Sequence, residues 1–405
     1  MLKKILSTYQ ASLIVALLSF TTVWLTVRYL GTTGRGEISL FLLNLSLVQI
    51  GNSIVGSGPM IYLYNRHPFS NIILLTTIWS ICCSIILSVI LFMINMVSLD
   101  LLLSTIILSF LTSLLLNNYA ILMAGNRFFQ YNLIRVLQSV FTIVFFLILF
   151  YLTKKASFHY YISSLLVSYL LTVTLSSLIV FKRERLIEIT ELKKTLVDFF
   201  KFGGLNQLSN LIQLGNYRAT LYMLSKYVGL SATGIFSLAL TLAEAVWMFK
   251  DSIVTNHHSY VSRQNNEQLA AKNNTKFMIM SGLGTICILI VALLIPITIY
   301  NKVFGSGFTQ VKYVLLLLSP GIVALSIGAV ISHYFSGIGK IKFNTLTSFA
   351  GLIVVVILGI FLIPKYGING AAITNCLSYF TTGMFLFVIY FRRKRKSKVF
   401  YRNAL

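Results

Sequence analysis

Charge is scarce in this chain. Of its 405 residues only 10% are charged and 57% are hydrophobic, with a mean hydropathy of +0.85. That much polar material cannot cover a soluble globule of this length, so the chain belongs in a bilayer. Acidic residues are scarcest, with nine Asp and Glu against 33 Lys and Arg. None lies in the interior of the first six apolar runs, since Glu37 and Asp100 sit at turns, which disfavours an exporter that attracts cations with carboxylates. The four cysteines, Cys82, Cys83, Cys287 and Cys376, fall inside apolar runs without metal-ligand spacing and read as small core residues. His67, His159, His257, His258 and His333 are scattered near run ends without carboxylate or metal partners at useful spacing. That scatter counts against a membrane-embedded polymerase, ligase or acyltransferase, whose chemistry needs converging acids, bases or nucleophiles. No nucleotide or other cofactor is expected, because "GTTGRG" from Gly31 and "GSGF" from Gly305 lack a phosphate-binding Lys and a strand-to-helix context.

Long apolar runs are what the chain has. Crossing the hydrocarbon by helix takes about 20 residues, and twelve runs qualify: 6–29, 38–63, 71–95, 99–123, 131–151, 157–181, 203–225, 231–255, 276–300, 311–335, 343–363 and 367–391. The first follows Lys3 and Lys4, but it exceeds a signal peptide's apolar core, carries Tyr9, Gln10 and Trp24, and lacks a small-x-small cleavage site. It reads as a span.

With the N-terminus in the cytoplasm, the inner segments hold 24 of the 33 basic residues and the outward connections 8, with Arg218 inside a span. That asymmetry follows the positive-inside pattern, so the formal charge of +24 reports topology and not a nucleic-acid partner. An even count of spans puts both termini inside. The tail "RRKRKSKVFYR" reads as a stop and an anchor for anionic membrane lipids. Outward connections at Ser98–Asp100, Thr153–Ala156 and Pro364–Gly367 are little more than turns.

The chain also repeats itself. "RYLGTTGRGEISL" from Arg28 and "KYVGLSATGIFSL" from Lys226 match at an offset of 198, pairing Tyr29 with Tyr227, Gly31 with Gly229, Gly36 with Gly234 and Ser39 with Ser237. "AGNRFFQYN" from Ala124 and "SGIGKIKFN" from Ser336 match at an offset of 212, pairing Gly125 with Gly337 and Asn132 with Asn344. Each half is then a six-helix lobe. Because six is even, the lobes insert with the same orientation, and the expected symmetry is a pseudo-twofold axis along the membrane normal with a cleft between the lobes. The expected division is an N-terminal lobe over 1–181, an amphipathic cytoplasmic linker over 182–201, a C-terminal lobe over 202–391 and a basic tail over 392–405. In the linker, Leu186, Ile189, Leu196 and Phe200 fall near one helical face; it is a strap that lets the lobes rock, or a passive connection.

These features resemble Wzx-type polysaccharide flippases of the multidrug/oligosaccharidyl-lipid/polysaccharide exporter superfamily, over essentially the whole chain. The residues carrying the likeness are the two matched turns, "VFGSGF" from Val303, "SGIGKIKFNTL" from Ser336 and "IPKYGINGAAITN" from Ile363. The resemblance implies an all-α, MATE-like membrane protein of the bacterial inner membrane and no enzyme. It implies a flippase that carries undecaprenyl-diphosphate-linked oligosaccharide repeat units from the cytoplasmic to the periplasmic leaflet by alternating access, for O-antigen, lipopolysaccharide or capsule synthesis. A polysaccharide polymerase and chain-length machinery are the partners it implies, with the lipid-linked oligosaccharide as substrate.

Binding residues are read from this chain alone. In the seventh run Asn206, Asn210, Gln213, Tyr217 and Thr220 form a stripe at 100° per residue, flanked by Ser209 and Asn216. Such donors and acceptors suit a sugar; the plain alternative is hydrogen bonding between helices. A diphosphate needs cations, and guanidinium matches two oxygens at once, which favours Arg28 and Arg218 ahead of Arg66, Lys226 and Lys250; for those at span ends the plain alternative is snorkelling to the membrane interface. Glu244 is the one carboxylate deep in a span. It and Arg218 lie at depths of roughly 15 and 12 Å on adjacent antiparallel helices, so an ion pair for structure, gating or coupling is expected.

Overall fold

The computed structural model describes residues 2–154, 156–182, 191–261, 264 and 271–402, without the side chains of 2–9, 259 and 394–402. Its elements are α1 (Leu2–Asn52), α2 (Ser57–Leu63), α3 (Phe69–Met93), α4 (Leu99–Ala124), α5 (Phe128–Thr153), α6 (Phe158–Phe181), α7 (Leu192–Tyr227), α8 (Leu230–Val261), α9 (Asn274–Leu294), α10 (Ile297–Phe304), α11 (Val311–Gly337) and α12 (Lys342–Arg402). Two of these are helix pairs joined at a single glycine. Gly31 (φ 68°) breaks α1 and Gly367 (φ 57°) breaks α12, both in the left-handed region that a residue without Cβ enters at little cost.

Nine helical stretches among the described residues are long and apolar enough to cross a membrane. Two of them are the glycine-broken pairs, which makes eleven apolar segments. The twelfth expected crossing, run 203–225, is helical within the 36 residues of α7, but its amides and hydroxyls leave it short of that apolar standard. Two other runs are interrupted. Run 276–300 divides at Pro296, which draws Ile295 into an extended conformation (φ −57°, ψ 125°) and starts the separate α10. Run 38–63 divides at a 3-10 turn over Ser53–Val55.

The chain forms two compact units, Met1–Leu30 with Glu37–Leu211, and Gly31–Gly36 with Ile212–Leu405. The boundary therefore falls inside α7 and not ahead of it. Of the expected linker, 183–190 lie outside the described residues. Residues 192–201 are the first turns of α7 and dock on the first unit. Thr195 and Phe199 are buried there, while Phe200, expected on the buried face, is half open and stacks edge-on against Trp79 at 5.2 Å. The face is turned because Thr195 is held by polar partners. Asn71 Nδ2 donates to Thr195 Oγ1 at 3.2 Å, and His67 Nδ1 shares a proton with the same oxygen at 3.1 Å. His67 Nε2 meets the Asp198 carboxylate at 3.0 Å. Replacing His67 by alanine should remove a charge-assisted bond of about 1.5 kcal/mol and speed amide exchange over Thr195–Phe200 by about tenfold. Unchanged exchange by mass spectrometry would show that apolar packing alone holds this end of α7.

Packing in the first unit places small hydroxyl residues inside and large apolar ones outside. Ser80, Ser84 and Ser88 on α3, Thr105 and Ser109 on α4, and Ser164, Ser168, Thr172 and Ser176 on α6 are fully buried at four-residue spacing. Ser80 bonds Ser113 at 2.6 Å, Thr142 bonds Ser168 at 3.0 Å and Asn118 bonds Ser176 at 2.9 Å, each between helices. Leu17, Ile86, Leu103 and Leu170 meanwhile stand more than half exposed. This is the order a lipid solvent favours, since hydrocarbon rewards an apolar exterior and helices associate through small residues and hydrogen bonds. The second unit packs α11 against α8, α9 and α12 around Val330, Ile331, Tyr334 and Phe335.

Both copies of the first repeat turn at a glycine with positive φ, Gly31 (φ 68°) and Gly229 (φ 116°), its partner at the 198 offset. The second repeat shifts by one residue. The six-to-one capping bonds run from Arg127 N to Leu122 O and from Lys340 N to Phe335 O, both 2.7 Å, and the left-handed residues are Asn126 and Gly339. The structural offset at this turn is thus 213, and Gly125 and Gly337 are not the equivalent pair. Asparagine replaces glycine at the left-handed cap, which hides the match from any glycine-to-glycine alignment.

Candidate functional site

The polar stripe of α7 divides along its length. Asn206, Asn210 and Gln213 are open on the helix surface, with Asn210 Nδ2 donating to Gln207 Oε1 at 3.0 Å and Gln213 Nε2 to Tyr217 Oη at 3.4 Å. Thr220 is fully buried. The flanking Asn216 is also fully buried and tied to α12: its Nδ2 donates to Thr382 Oγ1 at 3.1 Å, and its Oδ1 and the Gly351 carbonyl share the single Ser378 hydroxyl proton. At Asn216, then, the polar residue bonds helix to helix. At Asn206, Asn210 and Gln213 the amides remain accessible.

Tyr217 sits between these two zones. Its ring meets Tyr379 edge-on at 5.6 Å and Trp247 at 6.0 Å, and Trp247 meets Tyr379 at 5.4 Å. Tyr379 and Trp247 are buried, so Tyr217 is the partly open member of this aromatic trio. Next along the helix, Arg218 Nη2 donates to Glu244 Oε1 on α8, so the expected ion pair forms. The arginine side chain is 29% exposed and the glutamate 46%, which leaves the pair reachable from outside the core.

The other cations divide between the two units. Arg28 is exposed at the end of the first half of α1 and belongs to the first unit, whereas Arg218 belongs to the second. Arg66 lies over the Tyr62 ring at 3.7 Å, Lys250 pairs with Asp251 at 3.2 Å and covers the Trp247 ring at 5.0 Å, and Lys226 is exposed. Among the described residues no group of three His, Cys, Asp or Glu is placed to hold a metal ion.

Arg35 lies outside the expected site, yet it is the most deeply buried cation of the second unit's turn. It is 7% exposed, and it donates from Nε to Ser237 Oγ and from Nη2 to Thr241 Oγ1, both at 3.2 Å. The repeat carries a signal for it, because Arg35 aligns with Thr233 and, with Glu37 against Ile235, marks where the two copies of the turn differ in charge. Beside it the two copies cross. A Cβ on Gly36 would run into the Leu230 carbonyl, and a Cβ on Gly234 into the Thr32 carbonyl. Leu230 is the 198-offset partner of Thr32, so the contact is reciprocal, and Ser231 Oγ donates to Thr32 Oγ1 at 2.8 Å across it.

No family profile matches the chain. An uncharacterized membrane protein of Methanocaldococcus jannaschii is 33% identical over 99 residues, a stretch that spans 24% of this chain and 19% of that relative. Among solved structures, the lipid II flippase MurJ in an inward closed conformation superposes with a TM-score of 0.75 at 16% identity, covering 96% of this chain and 87% of that one. An inward-facing multidrug resistance MATE family transporter of the MOP superfamily superposes with a TM-score of 0.73 at 15% identity, covering 96% and 95%. At these identities the likeness is one of fold, and the fold is MATE-like: an all-helical, multi-pass membrane architecture.

Proposed function

We propose that this protein is a flippase of the multidrug/oligosaccharidyl-lipid/polysaccharide superfamily that moves an undecaprenyl-diphosphate-linked oligosaccharide from the cytoplasmic to the periplasmic leaflet of a bacterial inner membrane. The observation that carries this reading is the chemistry along α7. Accessible amides at Asn206, Asn210 and Gln213 lead to a partly open aromatic at Tyr217 and then to a guanidinium at Arg218. Amides exchange hydrogen bonds with sugar hydroxyls, an aromatic face packs against a pyranose, and a guanidinium fork matches diphosphate oxygens. The lack of carboxylates in the interiors of the first six apolar runs favours an anionic passenger over a cation. Likeness in fold to a lipid II flippase supports a lipid-linked substrate. In this reading Arg28 meets the diphosphate at one stage of transfer and Glu244 releases Arg218 to the substrate, acting as gate or coupling group. Both termini are cytoplasmic, and a polysaccharide polymerase with its chain-length machinery receives the product.

Deleting the gene should leave lipid-linked repeat units on the cytoplasmic leaflet and strip the cell of the corresponding surface polysaccharide, with complementation restoring both. Unchanged polysaccharide in a strain without a second flippase would refute the assignment. Robust export of cationic dyes would instead favour a drug exporter of the same fold.

A further inference from the structure

The first unit contains a cavity of about 520 Å³ between α1, α4, α6 and the middle of α7, open on one side. Seven of its ten lining residues are polar: Ser46, Gln49, Ser53, Thr112, Tyr169, Gln207 and Asn210, of which Asn210 stands at an accessible position. Among the described residues no charged side chain lines it. Most of the wall surface is apolar, and the polar groups set into it are costly in a membrane-embedded unit unless something polar meets them. Some hydroxyls elsewhere in this unit are satisfied between helices, as Ser80 with Ser113 and Thr142 with Ser168 show, and others by a carbonyl of their own helix, as Ser164 with Tyr161 shows. On the cavity wall one amide is held with its acceptor open. Gln49 Nε2 donates to the Ser109 carbonyl at 2.6 Å, which orients the amide, and its Oε1 is left without a partner among the described residues. Gln207 accepts from Asn210, so its carboxamide is likewise held in place.

We infer that this cavity is a subsite for one neutral sugar ring of the passenger, separate from the Arg218 end of α7. The inference rests on the flippase reading and adds to it the class of sugar recognised. The volume holds roughly one or two pyranose rings, within the size of ordinary ligand pockets. Amides and hydroxyls both donate and accept, as a polyol requires, and Tyr169 supplies a ring for the apolar face of the sugar. With neither Lys nor Arg among the described lining residues, a uronic acid would enter without a counter-charge and lose its hydration, so the cavity selects neutral sugars over acidic ones.

The test uses the purified full chain in lipid nanodiscs and three probes: undecaprenyl diphosphate, the same lipid bearing a single N-acetylglucosamine, and the same lipid bearing a single glucuronate. Binding is read by native mass spectrometry. The wild type should bind the N-acetylglucosamine lipid about tenfold more tightly than the bare lipid, and the glucuronate lipid no more tightly than the bare one. Gln49→Ala should erase the tenfold gain while leaving bare-lipid affinity unchanged. Asn210→Ala, at an exposed position where folding is not at stake, should reduce the gain. A gain that survives in both variants, or an equal gain for glucuronate, would overturn the subsite. A wild type that binds the bare lipid, but no sugar-bearing lipid more tightly, would overturn the subsite and leave the flippase reading standing. Failure to bind any of the three would overturn both.

Discussion

Gly234→Ala should lower the thermal stability of the protein more than a methyl added at Gly31 or Gly204. The new Cβ would fall on the Thr32 carbonyl, which is backbone, so no rotamer change relieves the overlap. Gly36→Ala should do the same through the Leu230 carbonyl. Overpacking a well-fitted contact costs about 1–3 kcal/mol, and a backbone-to-backbone clash belongs at or above the top of that range. Two comparisons separate this cause from others. Gly31→Ala meets no atom within 4 Å but must hold a φ of 68° with ψ −164°, a backbone region almost reserved for glycine, so its cost comes from backbone strain alone, about 1–3 kcal/mol. Gly204→Ala also meets nothing within 4 Å and sits in helical α7, so it should be neutral or stabilising by about 0.5–1 kcal/mol. The expected order in fluorescence-detected size-exclusion melts is Gly204→Ala highest, then wild type, Gly31→Ala, and the two crossing glycines lowest. If Gly234→Ala melts with the wild type, the two turns do not cross this closely.

Breaking the ion pair on one side should abolish transport, and breaking it on both sides tells which partner the substrate uses. Arg218→Ala leaves the Glu244 carboxylate alone within a helix that crosses the bilayer, and Glu244→Ala leaves the guanidinium alone. An isolated charge at such a depth costs about 2.5–3.5 kcal/mol, and partial exposure of both side chains puts this pair at the lower end. Each single variant should therefore show reduced membrane abundance, and the double variant should recover most of it, with a coupling energy of about 1–2 kcal/mol. Transport separates the roles. If Arg218 binds the diphosphate, the double variant is abundant and inactive. If the pair only holds α7 to α8, the double variant transports. Glu244→Gln keeps the shape and removes the charge, so preserved dependence on the pH gradient in that variant would take Glu244 out of ion coupling.

Much of the architecture was legible because a bilayer imposes a simple demand. A run of about 20 apolar residues has few alternatives to a helix when no water can satisfy its backbone. Eleven of the twelve expected runs therefore lie in helical stretches apolar enough to cross. The exceptions follow local chemistry. Pro296 divides run nine, and the amides of α7 make that helix too polar to qualify by composition. The turn repeat at offset 198 is visible because both copies turn at a glycine with positive φ. The second repeat reads one residue out of register because Asn126 and Gly339 fill the same left-handed cap with different side chains.

The candidate site was less legible. Helical periodicity puts Asn206, Asn210, Gln213, Tyr217 and Asn216 near one another on α7, but a helix has no knowledge of its neighbours. Asn216 turns out to be consumed by Thr382 and Ser378, more than 160 residues away in sequence. Asn206 and Asn210 stay open. Arg35 gives little notice of its burial, because its partners Ser237 and Thr241 come from the second copy of the turn and the helix that follows it.

By itself, then, the order of residues determined which segments are apolar, where glycine must turn the chain, and that one turn occurs twice; each depends on neighbours a few positions apart. Only the tertiary structure decided that the two copies cross at Gly36 and Gly234, that Arg218 meets Glu244, and which amides of α7 remain accessible. Those outcomes depend on which helix faces each side chain, and lipid rewards every apolar face alike, so the choice falls to hydrogen bonds, close-fitting glycines and paired charges between distant segments.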